Sequence, residues 1–178
     1  SKVISWMKKY TPERKYLFTW ADGIVGKPGY VYQAANFLYG GHIWSDVYVT
    51  KDGEKIHPRT IQGKLSNSEG LKYGSRPNFE QRIEMGLSRV YGKQFRYIYP
   101  LNKKARKYLK ESTVEWGIKN YPKDADLQWK ILKPGEKKYN HTSKMPYDYK
   151  GDNVKYNSKN VNKISDKHGT ASLKDFLS

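Results

Sequence analysis

The run from residue 16 to residue 41 restricts this chain more than any other stretch. Tyr16 to Trp20 (Tyr-Leu-Phe-Thr-Trp) is aromatic and β-prone, and it reads as a buried strand. Asp22-Gly23-Ile24-Val25-Gly26-Lys27-Pro28-Gly29 follows as a glycine-bearing loop, and Tyr30 to Tyr39 reads as a helix closed by Gly40 and Gly41. A glycine-rich turn between strand and helix exposes backbone N–H groups at a helix N-terminus, where a phosphate or pyrophosphate can sit. Gly23, Gly26 and Gly29 shape the turn, Lys27 adds a cation and Tyr30 opens the helix. The spacing fits neither a Walker A loop nor a dinucleotide fingerprint. The plainer alternative is a turn that Asp22 caps, with Tyr32 packed in the core.

The remaining patterns extend this unit into an α/β domain. Val3, Ile4, Met7 and Tyr10 fall at helical spacing before Pro12. Ile43 to Thr50 and Glu54 to His57, joined by Lys51-Asp52-Gly53, form a hairpin. Residues 78–88 read as a helix with Phe79, Ile83 and Leu87 on one face. Leu87 to Tyr91 and Phe95 to Pro100 alternate like strands around Gly92-Lys93, and Asn102 to Lys110 is a strongly basic helix. The expectation is a mixed, mostly antiparallel sheet with flanking helices over residues 1–132. Residues 133–178 read as a basic extension ending in a short helix at 172–177, N-capped by Ser172. Lys55 to Ile61 and Lys155 to Val161 echo one another faintly, each ahead of a short helix candidate; chance similarity in a Lys- and Asn-rich text is the better account of it.

Composition narrows the partner. The 178 residues hold 34 Lys and Arg against 17 Asp and Glu, a formal charge of +17, with 16 Tyr and 5 Trp interleaved. Such a field attracts polyanions, and the mixture suits phosphate contacts and base stacking. Arg59 in His57-Pro58-Arg59-Thr60, and Lys103, Lys104, Arg106 and Lys107 on the basic helix, are the candidate nucleic-acid contacts. Without cysteine there are no disulfides and no thiol nucleophile. No apolar run reaches the roughly 20 residues of a membrane span, and no leader-like segment opens the chain, so a cytoplasmic location is expected. His42 and His57, with Asp22 or Asp46, are conceivable metal ligands, although no metal-type helical spacing supports them. No Gly-x-Ser-x-Gly elbow is present for a hydrolase. Asp46, Asp52 and Glu54 sit like ordinary hairpin polar residues rather than a nuclease pair.

The run from Tyr-Leu-Phe-Thr-Trp-Ala-Asp-Gly through Tyr-Val-Tyr-Gln-Ala-Ala-Asn-Phe-Leu-Tyr-Gly-Gly resembles the Mom family of phage DNA-modification proteins. The likeness continues through His57-Pro58-Arg59-Thr60-Ile61 and Gly92-Lys93-Gln94-Phe95-Arg96-Tyr97-Ile98-Tyr99-Pro100-Leu101, covering roughly residues 1–123. That resemblance implies an acetyltransferase (GNAT)-like fold and an enzyme that converts adenine in DNA to a carbamoylmethyl form resistant to host restriction. It implies acetyl-CoA or another acyl-CoA on the glycine turn, DNA as substrate, and a possible involvement of iron. The family's functional Asp and Tyr fall on Asp22 and Tyr32, where they can orient an amine, move a proton or ligate a metal. In acetyltransferase-like folds several strands and a helix precede the strand of residues 16–20. Here fifteen residues precede it, so the family's upstream segment is expected to be missing and the activity of this chain by itself is in question. The competing expectation is a non-catalytic nucleic-acid-binding protein on the same scaffold.

Overall fold

The computed structural model describes residues 2–61, 76–117 and 120–147. The chain opens with helix α1 (Lys2–Tyr10), whose Ile4 and Met7 pack on the core. Strand β1 (Tyr16–Asp22) leads through a 3-10 turn (Gly23–Val25) into the short helix α2 (Tyr30–Ala34). Strands β2 (Leu38–Val49) and β3 (Lys55–Ile56) form the expected hairpin, followed by a helical turn at 58–61. Helix α3 (Phe79–Glu84), strand β4 (Ser88–Pro100) and helix α4 (Lys103–Lys110) come next. Strands β5 (Trp129–Leu132) and β6 (Asn140–Thr142) close the described fold.

All strand pairings among the described residues are antiparallel, and β4 is the axis of the sheet. β2 runs along one side of β4, from Leu38 opposite Ile98 to Val49 opposite Ser88. The other side is shared. β1 covers its C-terminal half, with Tyr16 opposite Pro100 and Asp22 opposite Gln94, while β5 covers Arg89 to Gly92. The 3-10 turn fills the gap between β1 and β5, with Ile24 seated where a side chain on Gly92 would stand; a Cβ there would lie 2.8 Å from it. Ile24, Val90, Phe95 and Tyr97 are the best-buried members of the main core, and Tyr48, Ile61 and Leu87 form a smaller one.

The mixed, mostly antiparallel sheet with flanking helices is as expected, and several details differ. The helix expected over 30–39 stops at Ala34, because Asn36 turns to φ 58° and the β-prone Phe37 and Leu38 start the next strand. Gly40 and Gly41 are therefore not a helix cap; they form an irregularity inside β2 between Tyr39 and His42. β1 is not a buried strand, since it pairs with β4 alone and leaves Phe18 and Trp20 exposed. The two strands expected around Gly92 are one, because glycine there admits Ile24. α3 is shorter than 78–88, and its inward residue is Arg82 while Ile83 is exposed. The boundary expected at 132 falls within the β5–β6 hairpin, and Tyr147 still belongs to the main core. The 172–177 helix and most of the basic extension lie outside the described residues.

Candidate active site and nucleic-acid surface

Asp22 ends β1, and its carboxylate accepts the N–H of Ile24 at 3.1 Å, which starts the 3-10 turn. The loop then folds onto itself. Gly26 N–H donates to Gly23 O and Lys27 N–H to Asp22 O, both at 3.1 Å. Its inner side is sealed, because the Trp129 indole and the Tyr147 hydroxyl each donate to Ile24 O at 2.8 Å. Two of its glycines answer to packing. A Cβ on Gly23 would lie 2.4 Å from Lys93 O, and one on Gly29 would lie 2.6 Å from the Tyr97 ring with φ at 97°. Three backbone N–H groups of the expected anion cradle are thus already bonded, and α2 is only five residues long. Those three belong to Ile24, Gly26 and Lys27. What it turns outward is the Lys27 side chain and the half-exposed Tyr30 ring, over which Lys123 Nζ sits at 5.5 Å.

Tyr32 is half-buried, with its ring 5.5 Å from Tyr97 and 5.6 Å from Phe37. It lines an apolar cavity with Val3, Ile4 and Leu17. Leu17 lies five residues before Asp22, roughly 17 Å along an extended strand, and Asp22 is not among the residues that line the cavity. The residue next to Tyr32 does more to hold the region together. Gln33 is buried, and its Nε2 donates to Pro122 O at 2.9 Å, to the Tyr97 hydroxyl at 3.1 Å and to Pro28 O at 3.5 Å. The Tyr97 hydroxyl in turn donates to Pro28 O. Burial pushes the Tyr97 phenol up to about 12, against which the Gln33 hydrogen bond pulls down. One side chain therefore ties the glycine loop to β4 and to the 120–123 segment.

The candidate metal ligands do not converge. His42 packs edge-on against Trp44 and Phe95, His57 Nδ1 accepts the N–H of Arg59 at 3.1 Å, and the buried Asp46 is held by Arg76 and by Arg89 Nε at 2.7 Å. Among the described residues, no three His, Cys, Asp or Glu side chains gather as a metal site.

The basic helix keeps its cations outward. Asn102 caps α4 by accepting Ala105 N–H at 2.8 Å, and Ala105 and Leu109 face the core. Lys103, Lys104, Arg106 and Lys107 are exposed. Arg106 and Lys110 border a groove of about 430 Å³ that runs to Leu38 and Trp116. Arg59 lies elsewhere. It follows β3 beyond the N-terminal end of β4, whereas α4 follows the C-terminal end, and thirteen extended residues span roughly 40 Å.

A partly buried polar cavity of about 330 Å³ opens at the β2 irregularity, bordered by Tyr39, His42, Lys93, Arg96, Asn120 and Asp126. Burial raises the Tyr39 phenol, Asp126 raises it further and Arg96 opposes them, so all three act on one spot. Sequence reasoning missed this cavity. Its only signal was Gly40-Gly41, which sits opposite Arg96 and reads more readily as a helix end.

The Mom protein family matches residues 1–123. This chain belongs to that family. Over 128 residues it is 34% identical to the methylcarbamoylase Mom of Escherichia phage Mu, covering 69% of this chain and 49% of that protein. The Mom-family chain thus spans about half the length of the curated relative it matches. No solved structure matches it. The family match contains Asp22, Tyr32, α4 and Trp116, while Trp129 and Tyr147, which seal the glycine loop, lie beyond it. No helix among the described residues is long and apolar enough to cross a membrane.

Proposed function

We propose that this chain serves as a phage-type DNA-modifying transferase that places an acyl-derived group on the amino group of adenine, and so protects DNA from restriction in the host cytoplasm. The observation that carries this reading is the Mom-family match, which runs unbroken through the strand, glycine loop and helix that present Asp22 and Tyr32. When bound, an acyl-CoA donor would supply the activated acyl carbon, its C–S bond breaking as the N–C bond forms and the CoA thiol leaving. Asp22, at the end of β1, takes the proton that the amine sheds on acylation. Its hydrogen bond from Ile24 N–H fixes the carboxylate's orientation. Tyr32 holds the apolar wall behind α2 through its contacts with Phe37 and Tyr97. Lys27 and Tyr30, the outward groups of the loop, meet the donor's phosphates, and the Gly26 N–H stays bonded to Gly23 O. No step is assigned to iron, because the described donors do not gather. The adenine leaves the base stack, since its amino group is otherwise held within the pair.

Mass spectrometry of nucleosides from DNA co-expressed with the chain tests this. A heavier adenosine that disappears in Asp22→Asn supports the transferase. Unmodified DNA, with the protein folded and bound to it, favours the second reading, a non-catalytic nucleic-acid-binding protein. The internally bonded, sealed glycine loop is the observation on that side. Co-expression with the upstream half of a longer relative then separates a binding protein from a transferase that needs both halves.

A further inference from the structure

The side of β1 and β4 that carries Phe18, Trp20 and Arg96 has a composition that the glycine loop does not explain. Phe18 is 50% exposed and Trp20 37% exposed, although both belong to a sheet strand. Phe18 meets Trp20 edge-on at 5.3 Å and Trp116 edge-on at 6.2 Å, so the three rings form one cluster. Trp116 is built into place, because a Cβ on Gly40 would stand 2.3 Å from its ring. Arg96 lies directly across from Trp20 in the β1–β4 register. Its Nε is buried without a hydrogen-bond partner among the described residues, and it borders the polar cavity beside Lys93 and Asn120. The neighbouring Gly41 leaves room for its guanidinium; a Cβ there would come within 3.5 Å of Nη2. Trp116 also ends the groove that Arg106 and Lys110 border.

Exposed aromatic rings carry a hydration penalty that a stacked base removes, and a guanidinium bordering an open polar cavity is suited to a phosphate oxygen. Rings beside a row of cations form the arrangement that holds unpaired strands, in which bases stack and phosphates follow the charge. We propose that Phe18, Trp20 and Trp116 form the stacking platform for an unpaired stretch of DNA, with Arg96 on one of its phosphates and Arg106 and Lys110 continuing the backbone track. This deepens the DNA-modification reading and rests on it, since a base taken out of its stack needs such a platform. It also moves the DNA contacts away from Arg59.

The test is the binding of a fluorescently labelled single-stranded oligonucleotide to the full chain, read by anisotropy across salt concentrations. Trp20→Ala and Arg96→Gln should each weaken binding by roughly tenfold. Arg96→Gln should also flatten the salt slope by about 0.7, the share of one single-strand phosphate. Trp20 is on the open strand, so Trp20→Ala keeps the fold, and circular dichroism of both variants verifies this. Oligonucleotide binding that neither variant alters overturns the platform and leaves the DNA reading standing. Failure of the wild-type chain to bind DNA overturns both. Pyrophosphate or CoA competing at micromolar concentration in the wild type but not in Arg96→Gln would make this a small-anion site and overturn the platform.

Discussion

The two sides of β1 differ in how they use their polar groups. Toward its C-terminal end the strand passes into the glycine loop, where Asp22 accepts from Ile24 and Lys27, Gly23 accepts from Gly26, and Trp129, Tyr147 and Gln33 hold the segment from outside. Along its exposed face the strand presents Phe18 and Trp20 to solvent, beside Arg96, whose buried Nε has no hydrogen-bond partner among the described residues. A glycine-rich loop is the more conspicuous feature in a sequence, yet here three of its N–H groups, and the close packing at Gly23 and Gly29, serve the fold. On the loop the outward groups are Lys27 and Tyr30, whereas the contacts proposed for a DNA strand lie on the aromatic and basic side.

This contrast predicts how substitutions divide. The largest effect is expected at Gly23, where alanine drives a Cβ into Lys93 O; the cost is about 3 kcal/mol of stability, measured by urea unfolding. Gln33→Leu comes next, because it strips Pro122 O of its donor in a buried setting, at about 2 kcal/mol in the same measurement. A smaller and pH-dependent effect belongs to Tyr97. Its folded-state value near 12 lies above the ordinary 10.0, so the unfolded chain loses its phenol proton first. The stabilisation is fully present below pH 10 and is lost as pH rises toward 12. Thermal melts of Tyr97→Phe should start from a lower melting temperature at pH 8, for want of the Pro28 and Gln33 bonds, and fall less steeply between pH 10 and 12 than wild type. Tyr91, also pushed up to about 12 by burial, keeps part of that slope in the variant. The smallest stability change, within about 0.5 kcal/mol, is expected for Lys103→Glu with Lys107→Glu on exposed α4 positions. That pair should nevertheless flatten the salt dependence of single-strand binding by about 1.4. A large stability loss there, or none at Gly23, would erase the distinction between the two sides.

What the sequence made legible followed from local chemistry. Met7 and Tyr10 before Pro12, Asp52-Gly53 in a hairpin and Asn102 ahead of a basic helix each signal their element within a few residues. The failures were of two physical kinds. In one, local signals were ambiguous. Tyr16 to Trp20 is apolar on both alternating sets, so nothing in it shows which face stays wet, and Gly40-Gly41 ends a helix as readily as it interrupts a strand. In the other, partners were distant. Gln33 reaches Tyr97 and Pro122, 64 and 89 positions away, and Trp129 closes the loop from 105 positions away. Asp22 and Tyr32 were readable as residues of interest through the family's motifs, but their attachment to different surroundings required coordinates.

The most direct test of the division between the two sides is photocrosslinking of the full chain to a single-stranded oligonucleotide carrying a photoreactive base, with the attached residues located by mass spectrometry. Crosslinks at Trp20, Trp116 or Phe18 are the predicted result. Crosslinks confined to Tyr30 and Lys27 on the glycine loop, or to the region of Arg59, would contradict it.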